Sequence, residues 1–165
     1  MARLIKVRAA RISDAKSLNA CFDAIARERA HLGRVAAPPI AQSRSYLRKL
    51  LREKYPSLVV TEGKRIVGWC DAEPRDMEGF RHTAGLGMGL LPEMRGRGLG
   101  ARLVRAIIAL CRRRGIEKIE LQVYASNRAA RALYRKCGFR HEGRRVRARK
   151  LDGKYDDVVL MGMLL

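Results

Sequence analysis

The chain lacks the features of a membrane protein, a signal-bearing protein or a modular array. No apolar stretch approaches the roughly 18 residues that cross a bilayer, so we expect no membrane partner. Segment 1–16 is charged, but no apolar run follows it, so it is not predicted to be a signal peptide. No repeat, linker or low-complexity segment interrupts the chain. The 165 residues, 47% of them hydrophobic, therefore predict one domain over residues 1–165 with a core of its own.

Closely spaced cysteines are also missing. The four cysteines are Cys21, Cys70, Cys111 and Cys137, and no two of them form a C-x-x-C pair. This spacing disfavours a metal site or a disulfide framework. It predicts reduced, mostly buried thiols in a cytoplasmic protein that binds no metal.

Acidic residues are scarce, with 16 Asp and Glu against 36 Lys and Arg, which leaves a formal net charge of +20. This excess favours anionic ligands, such as an acidic amine, and non-specific contact with nucleic acid. A non-catalytic nucleic-acid-associated module is therefore one hypothesis. Against it, no aromatic stripe for base stacking accompanies the arginines of the predicted C-terminal strand, which are Arg144, Arg145, Arg147 and Arg149.

The most informative stretch runs from Leu86 to Cys111 and predicts a strand, a glycine loop and a helix. The apolar run ends at Pro92, which cannot donate to a strand ladder. Apolar residues then recur at helical spacing from Leu99 to Leu110. Between them lie two arginines and three glycines. Glycines before a helix N-terminus let phosphates approach its free N–H groups, so the loop is a candidate pyrophosphate site. Its members are Arg95, Gly96, Arg97, Gly98 and Gly100.

Two motifs in this half of the chain carry a resemblance to a known family. Neither a Walker loop nor the G-x-G-x-x-G dinucleotide spacing is present. Arg95-x-x-Gly98-x-Gly100 instead resembles the Q/R-x-x-G-x-G/A pyrophosphate loop of the Gcn5-related N-acetyltransferases (GNAT). The later motif of Asn127, Ala130, Tyr134, Gly138 and Phe139 resembles that family's N-x-x-A-x-x-x-Y-x-x-x-G-F signature. The likeness is to the bacterial small-amine or phosphinothricin-like branch or to the ribosomal-protein-like branch.

The periodicity along the chain predicts the order β-α-α-β-β-β-α-β-α-β-β. The first strand is expected at Leu4–Arg8, followed by a helix that Ser13 caps and that ends near His31–Gly33. The last two strands are expected to form a hairpin over Asp152-Gly153. This is the order of the GNAT fold. The resemblance thus implies an α+β, three-layer (α/β) acyl-CoA N-acyltransferase fold, whose mixed, mostly antiparallel sheet has splayed central strands flanked by helices.

The resemblance implies acetyl-CoA as the cosubstrate and assigns residues to hold it. Backbone groups of Met88 and Leu90 would bind the pantetheine arm, although both side chains also suit a core. The loop would bind the pyrophosphate through Arg95, Gly96, Arg97, Gly98, Gly100 and Ala101. Asn127, Ala130 and Tyr134 share one helix face toward the cofactor. Tyr134 would be the general acid that protonates the departing thiolate, its alternative being a core tyrosine.

The general base is the open question. The similar ribosomal-protein alanine acetyltransferases carry a glutamate five residues before the asparagine, where this chain has Gln122. Glutamine cannot take a proton, so other acids are candidates, with a water relay or direct binding of neutral amine as further routes. We take Glu28 as the catalytic candidate, and the remaining acid and histidine candidates are Asp71, Glu73 and His82. Expected acceptor-binding residues are Phe22, His31, Trp69, Asp71 and His82.

These observations predict an N-acetyltransferase that uses direct attack by a primary amine in a ternary complex. The expected acceptor is a small amine or an amino-acid-like molecule. The alternative acceptor is a protein N-terminus or lysine. A homodimer through the C-terminal strands is expected from family precedent, and nucleic acid is expected to bind only non-specifically through charge.

Overall fold

The computed structural model describes residues 4–165 and shows the predicted order of strands and helices. Three short 3-10 helices, Ile12–Asp14, Glu78–Phe80 and Pro92–Met94, precede α1, β4 and α3. The strands are β1 (Ile5–Ala9), β2 (Ser57–Glu62), β3 (Arg65–Pro74), β4 (Thr83–Leu90), β5 (Lys118–Tyr124), β6 (Arg140–Leu151) and β7 (Lys154–Leu164). The helices are α1 (Ala15–Ala26), α2 (Ile40–Arg52), α3 (Leu99–Arg113) and α4 (Arg128–Lys136).

The seven strands form one mixed sheet in the order β1-β2-β3-β4-β5-β7-β6. Five of the neighbouring pairs are antiparallel, and only β4 and β5 are parallel. That parallel pairing covers residues 83–85 of β4 and 118–120 of β5. Beyond it the two strands separate, although β4 continues to Leu90 and β5 to Tyr124. The predicted splay of the central strands is therefore present.

The helices cover the two faces of the sheet in pairs. Successive side chains of a strand point to opposite faces, and β3 shows which helices lie on each. The Trp69 ring stacks against Phe22 of α1 with centroids 5.3 Å apart, and Glu73 pairs with Lys49 of α2. Cys70 points the other way, toward Cys111 of α3. The core is thus split into an α1/α2 layer and an α3/α4 layer around the sheet.

The first helix differs from its prediction at both ends. Ser13 lies inside the preceding 3-10 helix, and Asp14 directly precedes α1. Asp14 is held there because its carboxylate accepts hydrogen bonds from the Arg11 N–H at 2.8 Å and from the Arg8 guanidinium at 2.7 Å. At the other end α1 stops at Ala26, since Arg29 adopts a left-handed backbone with φ 56°. The segment expected to close the helix is therefore a loop between α1 and α2.

The C-terminal elements follow the sequence signals closely. Asn127 caps α4, because its side-chain oxygen accepts the Ala130 N–H at 3.1 Å. The helix ends before Gly138, whose φ of 103° no other residue type adopts readily. Asp152 and Gly153, both with positive φ, join β6 to β7 as expected. Local backbone chemistry thus explains why this part was predictable.

Candidate active site

The splay between β4 and β5 opens a groove of about 900 Å³ at the centre of the molecule. Its walls come from β4, the loop before α3, the start of α3, β5 and α4, with further contributions from α1, the α1–α2 loop and β7. Ten of the eleven predicted cofactor residues line it: Met88, Leu90, Arg95, Gly96, Gly98, Gly100, Ala101, Asn127, Ala130 and Tyr134. Residues that are 46 positions apart in sequence therefore share one cavity.

One edge of β4 faces this groove without a strand partner. The Leu91 N–H donates to the Val67 carbonyl of β3 at 3.0 Å. Since backbone groups of successive residues point to opposite edges of a strand, those of Leu90, and of Met88 two residues before it, face the groove. The Leu90 carbonyl confirms this direction, because it accepts the Arg95 Nε–H across the groove mouth at 3.0 Å. An extended ligand can therefore pair with the Met88 backbone as an added strand would.

The glycine loop places free N–H groups at the end of the groove. Gly96 and Gly98 have φ values of 70° and 75°, and Gly98 is the residue that begins α3. The N–H groups of Leu99, Gly100 and Ala101 lie in the first turn, where no helical carbonyl is available to them. No atom lies within 4 Å of the position that a Cβ of Gly98 would take. The loop thus offers donors and open space to an anion.

Arg95 is fixed in place by residues of the α1–α2 loop. Its Nη1 and Nη2 donate to the two carboxylate oxygens of Glu28 at 2.8 and 2.6 Å. This bidentate pair holds the pKa of Glu28 below its ordinary value. Glu28 therefore stays ionised and acts as an acceptor that positions the guanidinium at the groove.

His31 completes this cluster at the wall of the groove. Its Nε2 lies 3.5 Å from Arg95 Nη1 and 3.7 Å from the Glu28 carboxylate. Burial, and next the Arg95 charge, lower its pKa, so the ring is neutral at neutral pH. Its Nδ1 is buried and has no hydrogen-bond partner within residues 4–165.

The structure separates Arg97 from the other predicted cofactor residues. Its guanidinium turns back to the Met94 sulfur at 3.3 Å and does not line the groove. Lys136 of α4 does line it and was missed by the sequence analysis. Lys136 belongs to no motif, and only its position on the groove face of α4 could have indicated it. The positive side chains at the groove are therefore Arg95, bound to Glu28, and Lys136.

Tyr134 is buried at the inner end of α4, with 7% of its surface exposed, and lines the groove. Its ring packs edge-on against Phe139 with centroids 5.8 Å apart. Burial is the main cause that raises its pKa, and the neighbouring Cys70 and Cys137 add to it. The phenol is therefore fully protonated at neutral pH and can donate a hydrogen bond or a proton into the groove.

A second cavity, of about 380 Å³, lies on the α1/α2 face of the sheet. It is lined by Tyr46, Asp71, Glu73, Arg75, Gly85, Leu86 and Gly87. Leu86 and Gly87 also line the large groove. The two cavities therefore meet at this point of β4, where the parallel pairing with β5 has just ended.

A row of alternate glycines in β4 makes room for larger side chains of β3. In register, Gly85 lies opposite Glu73, Gly87 opposite Asp71, and Gly89 opposite Trp69. A Cβ on Gly89 would lie 2.3 Å from the Trp69 ring, and one on Gly87 would lie 3.4 Å from Asp71 Oδ1. These glycines, read in the sequence only as a bulge or a close approach, thus let the Asp71 carboxyl extend over the strand.

Asp71 has the most perturbed carboxyl of the site. Burial raises its pKa to about 7, Tyr46 counteracts this by hydrogen bonding, and the Glu73 charge adds to the rise. The Tyr46 hydroxyl lies 3.4 Å from Asp71 Oδ1. Asp71 can therefore exchange a proton near neutral pH, as a general base must.

The other predicted acceptor residues lie outside both cavities. Trp69 is buried between Phe22 and Gly89 and lines neither cavity. His82 precedes β4, and its backbone carbonyl accepts the N–H groups of Glu117 and Lys118.

Gln122, which stands where the ribosomal-protein enzymes have a glutamate, lines the groove. Within residues 4–165 no three His, Cys, Asp or Glu side chains are grouped as metal ligands would be.

Comparisons with known proteins place this geometry in a family. The model of the acetyltransferase (GNAT) family matches residues 19–139. The L-methionine sulfoximine/L-methionine sulfone acetyltransferase of Pseudomonas aeruginosa is 27% identical over 128 residues, which are 76% of this chain and 74% of the relative. No helix of the described part of the chain is both long and apolar enough to span a membrane.

Two solved structures share the fold over nearly the full length. Ribosomal-protein-alanine N-acetyltransferase from Brucella melitensis has a TM-score of 0.89 and 25% identity, covering 97% of this chain and 99% of its own. The phosphinothricin acetyltransferase of Sinorhizobium meliloti, solved with acetyl-CoA, has a TM-score of 0.91 and 21% identity, covering 98% and 88%.

The chain belongs to the GNAT acetyltransferase family. It is an acyltransferase, and acetyl-CoA is its cosubstrate. The predictions of the family, of the acyl-CoA N-acyltransferase fold and of the cosubstrate are confirmed. The roles of individual residues, the homodimer and the cytoplasmic location stay predictions.

Proposed function

We propose that the chain transfers the acetyl group of acetyl-CoA to the primary amine of a small, amino-acid-like molecule by direct attack in a ternary complex. The observation that carries this proposal is the meeting of the two cavities at Leu86 and Gly87. One ligand would enter from each face of the sheet, so that the amine and the thioester meet at β4. Holding both reactants in one geometry supplies much of the rate enhancement of a bimolecular transfer.

The large groove suits acetyl-CoA in shape and in donors. The unpaired edge at Met88 would hydrogen-bond the amide groups of the pantetheine arm. The free N–H groups at the start of α3 would bind the pyrophosphate. This placement leads the thioester inward to Tyr134, whose phenol would protonate the departing thiolate.

Direct attack is favoured over an acetyl-cysteine intermediate. The thiolate, not the thiol, is the nucleophile, and the two cysteines nearest Tyr134 are unsuited to form it. Cys70 is fully buried, and burial raises its pKa well above the ordinary value. Burial also raises the pKa of Cys137. Neither cysteine lines the groove.

The size of the acceptor cavity favours a small molecule over a protein. Its volume of about 380 Å³ is at the lower end of small-molecule sites. The Pseudomonas relative, named for its action on methionine sulfoximine and methionine sulfone, supports this class of acceptor. The Brucella structure, of an enzyme named for ribosomal-protein alanine, supports the second candidate, a protein N-terminus.

Pyrophosphate binding by the glycine loop is tested by comparing Gly98→Ala with Gly153→Ala. Both glycines have φ 75° and no atom within 4 Å of the Cβ position, so both variants carry the same backbone strain. Only Gly98 borders the groove. Calorimetry should show acetyl-CoA binding weakened about tenfold or more by Gly98→Ala, since one lost hydrogen bond to a charged group is worth about 1.5–3 kcal/mol. Gly153→Ala should bind like wild type.

The acceptor is tested with L-methionine sulfone and with a peptide that begins with alanine. The proposal expects saturable acetylation of the amino acid and none of the peptide. Equal affinity of the two glycine variants for acetyl-CoA would contradict pyrophosphate binding by the glycine loop. Acetylation of the peptide alone would favour a protein N-terminus as the acceptor.

A further inference from the structure

We infer that Asp71 is the general base of this enzyme and that it reaches the acceptor nitrogen across the bare backbone of Gly87. The inference deepens the proposed function and rests on it. It answers the question that Gln122 leaves open, since an amide in the glutamate position cannot accept the proton of the amine.

The geometry places the Asp71 carboxyl beside the point where the cavities meet. Asp71 lies directly opposite Gly87 in the β3–β4 register, and its Oδ1 lies 3.4 Å from the position of a Cβ on Gly87. A side chain at position 87 would therefore stand between the carboxyl and the shared wall. Gly87 lines both cavities, so a nitrogen bound over it faces Asp71 on one side and the groove on the other.

Asp71 is also the acid of this cavity that no cation neutralises. Glu73 accepts a hydrogen bond from Lys49 of α2 at 2.6 Å, and Arg75 donates to Glu120 of β5 at 2.7 Å. From α2, the Tyr46 hydroxyl faces Asp71. Residues 85–88 of β4 carry no charge. Within residues 4–165 Asp71 has no ion-pair partner, so its carboxyl is available to an incoming ammonium or amine.

Glu28, the other candidate for the base, is bound to Arg95. Glu28 accepts both hydrogen bonds of the Arg95 fork, which keeps its pKa low and its oxygens occupied. A base with a low pKa has little affinity for a proton at neutral pH. The pKa of Asp71, raised to about 7 by burial, matches the working range of a base.

The positions of Asp71 and Tyr134 give each proton of the transfer a donor and an acceptor. Asp71 takes a proton from the nitrogen as the N–C bond to the acetyl group forms and the C–S bond breaks. Tyr134 gives its phenolic proton to the thiolate. Water then carries a proton from Asp71 and returns one to Tyr134, so the net products are the acetylated amine and free coenzyme A.

The test is the pH profile of Asp71→Asn, with L-methionine sulfone as the acceptor between pH 6 and 9. In wild type, kcat/KM should rise with pH and bend near 7 as Asp71 ionises. The Asn variant should lose this bend and fall by about 10²–10⁴-fold, the usual contribution of a general base. Its acetyl-CoA affinity should equal that of wild type. The control is Asp152→Asn in the β6–β7 turn, which should keep the wild-type profile.

The outcomes separate the inference from the proposed function. Failure of wild type to bind acetyl-CoA would overturn both. A wild-type profile and rate in Asp71→Asn would overturn the inference alone. If acetyl-CoA binds and methionine sulfone is not acetylated, a ¹³C titration of the Asp71 carboxyl in the acetyl-CoA complex decides. Titration of Asp71 near pH 7 would support its role as the base, and titration below pH 5 would overturn that role.

Discussion

A carboxyl whose pKa rises on folding costs folding stability, and Asp71→Asn should therefore stabilise the fold in a pH-dependent way. The pKa of Asp71 rises from 3.8 to about 7 on folding. Well below pH 3.8 both states are protonated and the group has no effect. As pH rises toward 7 the unfolded chain loses the proton before the folded one does, so folding stability falls. Above 7 the full cost is present.

The magnitude follows from the two pKa values. At about 1.36 kcal/mol per pH unit, the cost is about 1.7 kcal/mol at pH 5 and about 4 kcal/mol at pH 8. Asparagine has the same shape and no charge at either pH. The free energy of unfolding of Asp71→Asn minus that of wild type should therefore grow by about 2–3 kcal/mol between these pH values. Contributions from other groups, such as the lowered pKa of His31, cancel in this difference.

The assay is urea unfolding at several pH values, followed by the fluorescence of Trp69. This is the one tryptophan of the chain and is buried against Phe22, so it reports on the core. Asp152→Asn is the control with the opposite sign. The pKa of Asp152 is lowered, first by its hydrogen bond with Arg29, so removing its charge should not stabilise the fold. A difference for Asp71→Asn that stays flat or shrinks with pH would refute the reasoning.

Two further variants test the other assigned roles. Tyr134→Phe removes only the hydroxyl that faces the groove, and kcat should fall about 10²-fold or more while calorimetry shows unchanged acetyl-CoA affinity. An unchanged kcat would leave Tyr134 as a packing residue. Glu28→Gln removes the charge that binds Arg95, so acetyl-CoA should bind more tightly and kcat should stay within a few-fold of wild type. A loss of kcat as large as that of a missing base would instead assign the proton transfer to Glu28.

Much of the fold was predictable because the signals that specify it are local. The strand, glycine loop and α3 follow from a change of period within a single stretch. The Asn127 cap and Gly138 bound α4 from within a few residues. The predicted Ser13 cap was wrong because Ser13 lies inside a 3-10 helix, in which the Asp14 carboxylate binds Arg8 of the preceding strand and the Arg11 N–H. A residue preference for helix caps does not include such a contact with a neighbouring strand.

In the candidate site, too, residues that belong to local motifs were predictable, and residues placed by side-chain direction were not. Most of the predicted residues line the large groove, and two motifs report them, whereas the positions of Arg97 and Lys136 depend on the direction in which each side chain leaves its loop or helix. The overall charge of +20 suggested an acidic amine. At the acceptor cavity, however, Arg75 is neutralised by Glu120, so the local charge differs from that of the whole chain.

By itself, the sequence determined the order of elements, the glycine loop and the asparagine–tyrosine helix, because backbone preferences and period act over a few neighbouring residues. Only the tertiary structure distinguishes the environments of the two candidate acids, Glu28 and Asp71. Glu28 meets Arg95 across 67 positions, and that ion pair lowers its pKa and so its affinity for a proton. Asp71 meets Gly87 only through the β3–β4 register, where the missing side chain of glycine leaves room for the carboxyl beside the groove. Contacts between distant segments set burial and charge pairing, and these in turn set the pKa of each carboxyl.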